Sequence, residues 1–253
     1  MKPGRQSGST FAAPEPRWSA TNSPPIAHSS LFILHFPRVP HLVPLLIRGI
    51  NNLSDARYCA GMGADKLTFV LDPALPGALD VKAMKELAGW VAGVELLGEF
   101  DRLSAHEINA IAAECALDGV LLRSFRSADE LAEIAPPVYV EINPEYVTPL
   151  NPSTEPVQGW HGTIDLEGSL PAGVAGWVIE LPTAISAETS TVLKAIGQVR
   201  PLWLGPGLSP TLALELVQQL PLAGLSLPAG DEVKPGLRDF DQLEAVFEAL
   251  ETE

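Results

Sequence analysis

From Val43 to the C-terminus, short apolar runs alternate with helical patterns, and no other feature limits the fold of this chain so strongly. Short apolar runs bounded by turn residues read as buried strands. The amphipathic stretches between them read as helices, and their alternation is the signature of βα units around a parallel sheet. Strands are expected at Val43–Ile47, Lys66–Leu71, Gly93–Leu97, Gly119–Leu122, Val138–Ile142, Trp177–Leu181, Pro201–Leu204 and Ala223–Leu227. Helix starts are marked by Ser54, by the capping box Ser104 with Glu107, by Ser127, Ser186, and by Ser209 followed by Pro210. Eight such strands with their helices make an α/β protein of the (β/α)8 TIM-barrel class. An open doubly wound sheet is the runner-up, but its G-x-G-x-x-G turn after a first strand is missing.

The rhythm starts late and skips once. Residues 1–40 are Pro- and Ser-rich and carry Lys2, Arg5, Arg17 and Arg38 against Glu15 alone. Such a composition builds no packed core, so 1–40 is expected to be a disordered basic tail and 41–253 the barrel. A targeting segment is the other reading of that tail. Between Asn143 and Ala175 the chain is Pro-rich with no helical pattern, so a loop is expected in place of the fifth helix, with a short strand pair around Gly162–Leu166.

Charge then narrows the partners. The 253 residues carry a formal net charge of −15 in spite of the basic tail, which argues against nucleic acid, since phosphate backbones are bound through Lys and Arg. No apolar run approaches membrane-spanning length. The two cysteines, Cys59 and Cys115, form neither a disulfide framework nor a metal-ligand spacing. A cytoplasmic protein without metal or cofactor, monomeric or homodimeric, acting on a small molecule, is the expectation.

In a (β/α)8 barrel the chemistry sits at the carboxyl ends of the strands. There the chain places Arg48, Asp72, Glu95, Arg123, Glu141 and Glu180, whose alternation with apolar neighbours suits side chains pointing into the mouth. Two readings stand. In one, the arginines and carboxylates form a structural ion-pair network. In the other, Arg48 and Arg123 clamp a carboxylate or phosphate while Glu141 or Glu180 moves protons. His161 and Asp165 lie in the Pro-rich segment and could close over the mouth. Glycine loops follow the last two strands: Gly205 and Gly207 after the seventh, Ala229 and Gly230 after the eighth. Their amides, with the start of the next helix, suit a phosphate; equally, the glycines could simply make turns. Pro206 removes one donor there, and the Asp231 carboxylate would repel an anion.

Three stretches carry a family resemblance. Ile47-Arg48-Gly49-Ile50-Asn51-Asn52-Leu53-Ser54-Asp55-Ala56 with Gly61-Met62-Gly63-Ala64-Asp65-Lys66-Leu67-Thr68-Phe69-Val70 is similar to the opening K-I-C-G-I-T-x-x-x-D-A and G-A-D-x-x-G-F-V of the phosphoribosylanthranilate isomerases of tryptophan biosynthesis. Gly205-Pro206-Gly207-Leu208-Ser209-Pro210 resembles their A-G-G-L-x-P. Ala229 to Asp239 resembles S-S-G-V-E-x-x-P-G-x-K-D, and order and spacing agree over 43–253.

The resemblance implies a (β/α)8 barrel and an Amadori rearrangement driven by a cysteine base at the end of strand one and an aspartate acid at the end of strand six. In this chain the cysteine position holds Arg48, the preceding lysine position Leu46, and the acid position Glu180. Arginine stays protonated at any working pH and cannot be that base. The family's Q-L-H-G corresponds to Leu121-Leu122-Arg123-Ser124, and its S-P-R, whose arginine serves the substrate carboxylate, is replaced by Ala74-Leu75-Pro76-Gly77. The expectation is a barrel that binds a small phosphorylated or carboxylated metabolite without the standard isomerase activity. The alternative is an active aldose–ketose isomerase with Glu180 as general acid.

Overall fold

The computed structural model describes residues 40–124, 126–142, 174–181, 185–234 and 237–252. Eight parallel strands close on themselves in sequence order: β1 (Leu45–Ile50), β2 (Lys66–Val70), β3 (Glu95–Phe100), β4 (Gly119–Leu122), β5 (Val138–Ile142), β6 (Val174–Ile179), β7 (Leu202–Leu204) and β8 (Gly224–Pro228). Helices α1 (Leu53–Gly61), α2 (Val81–Ala88), α3 (Ala105–Cys115) and α4 (Ala128–Ala132) follow the first four strands. After the last three come α5 (Ala187–Val199), α6 (Pro210–Gln219) and α7 (Asp241–Leu250). The expected (β/α)8 barrel is therefore present. The loop expected in place of a fifth helix, the strand pair around 162–166, and His161 and Asp165 lie outside the described residues, as does the tail up to residue 39.

Local chemistry sets the element ends. Ser104, Ser127, Ser186 and Ser209 cap α3 to α6 as expected, each hydroxyl accepting from the amide three residues on. At α1 the cap is Asn52 rather than Ser54: the Asn52 Oδ1 accepts from the Asp55 amide at 2.9 Å, and its Nδ2 donates to the Asp55 carboxylate at 2.6 Å. β1 runs to Ile50 rather than stopping at Ile47, so only Asn51 separates the strand from that cap. A second departure follows β8, where β9 (Asp231–Lys234) and β10 (Leu237–Asp239) form an antiparallel hairpin before α7.

Strand register stacks the inward-facing residues in layers, as closure of an eight-stranded parallel barrel requires. Lowest are Lys66, Gly119, Gly176 and Gly224. Above them come Leu46, Leu97, Tyr139 and Trp203, then Thr68, Leu121, Val178 and Ser226. The three glycines of the lowest layer make room for the rings of the second. A Cβ on Gly176 would stand 2.9 Å from Tyr139 and 3.0 Å from the Trp203 Nε1, and one on Gly224 would meet the Trp203 ring at 2.3 Å. Lys66 shares that space with the two rings, its Nζ 5.6 Å and 5.9 Å from the centroids of Tyr139 and Trp203. Outward-facing residues such as Leu45, Ile47, Phe69, Phe100, Leu122 and Trp177 join the helices in a separate, larger core.

Candidate functional site

The layer above Ser226, at the carboxyl ends of the strands, is charged. Arg48 enters it from β1, Glu99 from β3, Glu141 from β5, and Arg123 rises just past β4. Arg48 is aimed by an irregularity in its strand. The β1–β2 register slips between Ile47 and Ile50, where Gly49 takes φ +73°, and the Gly49 amide donates to Thr68 Oγ1 at 3.1 Å. Such a bulge re-aims a side chain next to a strand end, and glycine adopts its positive φ without steric cost.

Glu99 is the hub of the site. It is fully buried, and Arg123 donates to its Oε2 from Nε at 2.7 Å and from Nη2 at 2.5 Å. Arg48 reaches the same carboxylate through Nε (3.4 Å) and Nη2 (3.3 Å), and Thr68 Oγ1 donates to Glu99 Oε1. Arg48 Nη2 also donates to Glu141 Oε2 at 2.7 Å. Burial by itself would push the Glu99 carboxyl up, but the two guanidiniums and the Thr68 hydroxyl outweigh it and hold the group below the usual carboxylate range. Burial likewise works against the Arg48 cation, and Glu99 and Glu141 overcome it, so the guanidinium is held charged more firmly than a free arginine. Arg48, Glu99 and Glu141 are thus locked as a cation between two anions. So held, Arg48 offers no neutral nitrogen to accept a proton.

The remaining polar groups sort by position. Glu95, expected at the mouth, stands at the opposite end, because β3 begins there instead of ending at Leu97; it pairs with Lys66. Its place at the mouth belongs to Glu99, two turns of the strand pleat further on. Asp72 is buried, but its oxygens accept the amides of Ala74 (2.9 Å), Asp101 (2.9 Å) and Arg102 (2.7 Å), so it ties the loop after β2 to the loop after β3 and is spent on that task. Burial opposes its ionisation, and those amides outweigh the penalty and lower its pKa. Glu180 stands exposed one residue beyond β6. Cys59 and Cys115 lie buried in α1 and α3, away from the mouth, and burial beside Asp55 pushes the Cys59 thiol up to about 12.

Two of the four loop positions expected to bind a ligand are occupied by the barrel itself. The Gly205 amide donates to Ile179 O at 3.1 Å, and the Ala229 amide to Arg48 O at 3.0 Å. Gly205 has its own steric reason to be glycine: at φ +149°, a Cβ would fall 1.6 Å from Ser226 O. Gly230 (φ +83°) has a similar one, since its Cβ would meet Asp239 O at 2.3 Å across the hairpin base. Around Gly207, also at φ +83°, a Cβ would meet nothing within 4 Å. Of the glycine loops, therefore, Gly207 and Gly230 with the start of α6 remain as candidate anion donors. The side chain of Asp231 lies outside the description.

Residues not singled out from sequence complete the setting. Thr68 bridges the Gly49 bulge to Glu99. Arg238 ties three segments around the β1 exit, with Nε 2.7 Å from the Asp55 carboxylate, Nη1 donating to Gly230 O (2.9 Å) and Nη2 to Gly49 O (3.2 Å). The signal for this staple was present, because Asp55 and Arg238 both sit inside the motif stretches quoted above. Among the described residues, no cluster of His, Cys, Asp and Glu is arranged to hold a metal ion, and no helix is long and apolar enough to cross a membrane.

No family model matches the chain. It is 28% identical over 221 residues to the N-(5'-phosphoribosyl)anthranilate isomerase of Chlorobium phaeobacteroides, covering 83% of this chain and 98% of that one. The solved phosphoribosyl anthranilate isomerase of Thermus thermophilus superposes with a TM-score of 0.64 at 22% identity, over 82% of this chain and 98% of that one. A phosphoribosyl anthranilate isomerase solved with reduced 1-(o-carboxyphenylamino)-1-deoxyribulose 5-phosphate gives 0.61 at 18% identity, over 82% and 97%. By sequence along the barrel and by fold, this chain is similar to the phosphoribosylanthranilate isomerases.

Proposed function

We propose that the barrel binds a small phosphorylated or carboxylated metabolite at its carboxyl-end mouth and does not carry out the standard phosphoribosylanthranilate isomerisation. The observation that carries this reading is the state of Arg48. It stands where the resemblance expects a proton-accepting cysteine, and it is fixed as a cation between Glu99 and Glu141. Arg123 is the more open guanidinium, with its side chain one-third exposed while Glu99 grips one edge. A planar guanidinium held on one edge is oriented to present the other to an incoming carboxylate or phosphate. Gly207, Gly230 and the start of α6 would take a phosphate on the far side of the mouth.

Binding raises apparent stability by mass action, by about 2.7 kcal/mol at a hundredfold excess over Kd. D-Ribose 5-phosphate should therefore raise the melting temperature of the wild-type chain and raise that of Arg123→Gln much less. No shift for the wild-type chain would remove this reading.

A second reading keeps catalysis, with Glu180 as general acid and Glu141 as the base. The exposed place of Glu180 just past β6 supports it. The Arg48 contact to Glu141 weighs against it, because that carboxylate oxygen is already engaged by the guanidinium.

A further inference from the structure

The third interior layer of the barrel, directly under the charged one, contains two hydroxyls and two apolar side chains: Thr68, Leu121, Val178 and Ser226. Thr68 and Ser226 flank Arg48 from β2 and β8, the strands on either side of β1. Their hydroxyls are treated differently. The Thr68 hydroxyl accepts from the Gly49 amide and donates to Glu99. The Ser226 residue is fully buried, and its Oγ has no hydrogen-bond partner among the described residues.

An unpaired hydroxyl in a barrel interior is a net cost to folding, which an alanine of nearly the same size would avoid. Packing does not call for the oxygen either. The close approach of β7 to β8 is between Gly205 and the backbone carbonyl of residue 226, which any residue supplies. Just past β7, which ends at Leu204, Gly205 passes close to residue 226 and carries no side chain to cover it. The charged layer itself is filled from β1, β3 and β5. On the β7–β8 side, then, the unpaired Ser226 Oγ is the polar atom buried directly beneath the charged layer.

We propose that Ser226, under Gly205 on the β7–β8 side of the mouth, is a hydrogen-bonding subsite for a hydroxyl group of a small anionic polyol. This rests on the mouth being a ligand site, and it adds the class of ligand: an anion that also carries hydroxyls, in place of a bare acid. The Ser226 hydroxyl can donate to or accept from such a group, and its discrimination is against analogues that lack the hydroxyl.

The test compares D-ribose 5-phosphate with inorganic phosphate, titrated calorimetrically into the full-length wild-type chain and the Ser226→Ala variant. Loss of one neutral hydrogen bond should weaken ribose 5-phosphate binding roughly threefold to tenfold in Ser226→Ala and leave inorganic phosphate unchanged. The variant should melt at or above the wild-type temperature, since it removes only an unpaired hydroxyl. Equal ribose 5-phosphate affinity in both proteins overturns the subsite while leaving the mouth as an anion site. So does ribose 5-phosphate binding wild type no more tightly than phosphate. If wild type binds neither probe, the ligand site is refuted and the subsite with it.

Discussion

Glu99 shows how much a single buried carboxylate can organise. Two guanidiniums and a hydroxyl converge on it from β1, β2 and the residue just past β4, so removing its charge leaves Arg48 and Arg123 facing each other across a neutral group. Breaking a buried ion pair from one side is far more costly than never having built it, and Glu99→Gln should lose about 3 kcal/mol in urea unfolding. Glycines at the strand ends offer a second test at this scale. Gly205→Ala collides with Ser226 O and should destabilise strongly, whereas Gly207→Ala meets open space and should cost only about 1–2 kcal/mol, the penalty of a positive φ. If both were equally mild, the steric account of Gly205 would be wrong. At this scale the sequence was legible for Arg48, Arg123 and Glu141, because parity within β1, β4 and β5 points them inward. It was misleading for Glu95 and silent on Glu99.

The reason lies in the elements. The strand expected over Gly93–Leu97 stops just short of Gly98, with Glu95 as its last polar residue. In the structure Gly98 lies within the strand, facing outward, because a Cβ there would stand 2.7 Å from the Phe100 ring and 2.8 Å from Leu117. Its glycine is a packing requirement, invisible to a pattern that counts glycine as punctuation. The same limit applied at Gly49, where β1 runs on through a bulge to Ile50. Capping by Asn52 is itself testable: Asn52→Ala should cost about 1 kcal/mol, while Ser54→Ala should be close to neutral. Other elements were read nearly to the residue, β4 and β5 among them, because uninterrupted apolar runs carry their own boundaries. The hairpin of β9 and β10 was missed because its strands are short and charged, without the alternation that marks a half-buried strand.

For the whole molecule, closure of the barrel brings residues distant in sequence into one charged layer, and its electrostatics should be visible in bulk behaviour. Glu99 and Asp72 both titrate below their ordinary range in the folded state. A depressed carboxylate contributes stability that is present above its unfolded pKa, about 4.3 for Glu and 3.9 for Asp, and lost as pH falls through the folded value. Stability to urea should therefore fall as pH drops below about 4.5, and Glu99→Gln should flatten that decline; an unchanged acid limb would show that Glu99 is not held as an anion. The barrel as a class was the most legible feature of all, since its alternation is repeated along the chain and survives errors of several residues at each boundary. The use of the mouth was less legible, because it depends on which of several carboxylates meets Arg48 and Arg123. That pairing exists only after closure.

The proposed function rests on Arg48, which, held between Glu99 and Glu141, cannot be the proton acceptor of the standard isomerisation. The direct measurement is turnover of phosphoribosylanthranilate by the purified full-length protein, followed by the loss of substrate fluorescence. No turnover above the uncatalysed rate is expected at any pH at which the protein is folded. Sustained turnover that Glu180→Gln abolishes would contradict it and establish the catalytic reading instead.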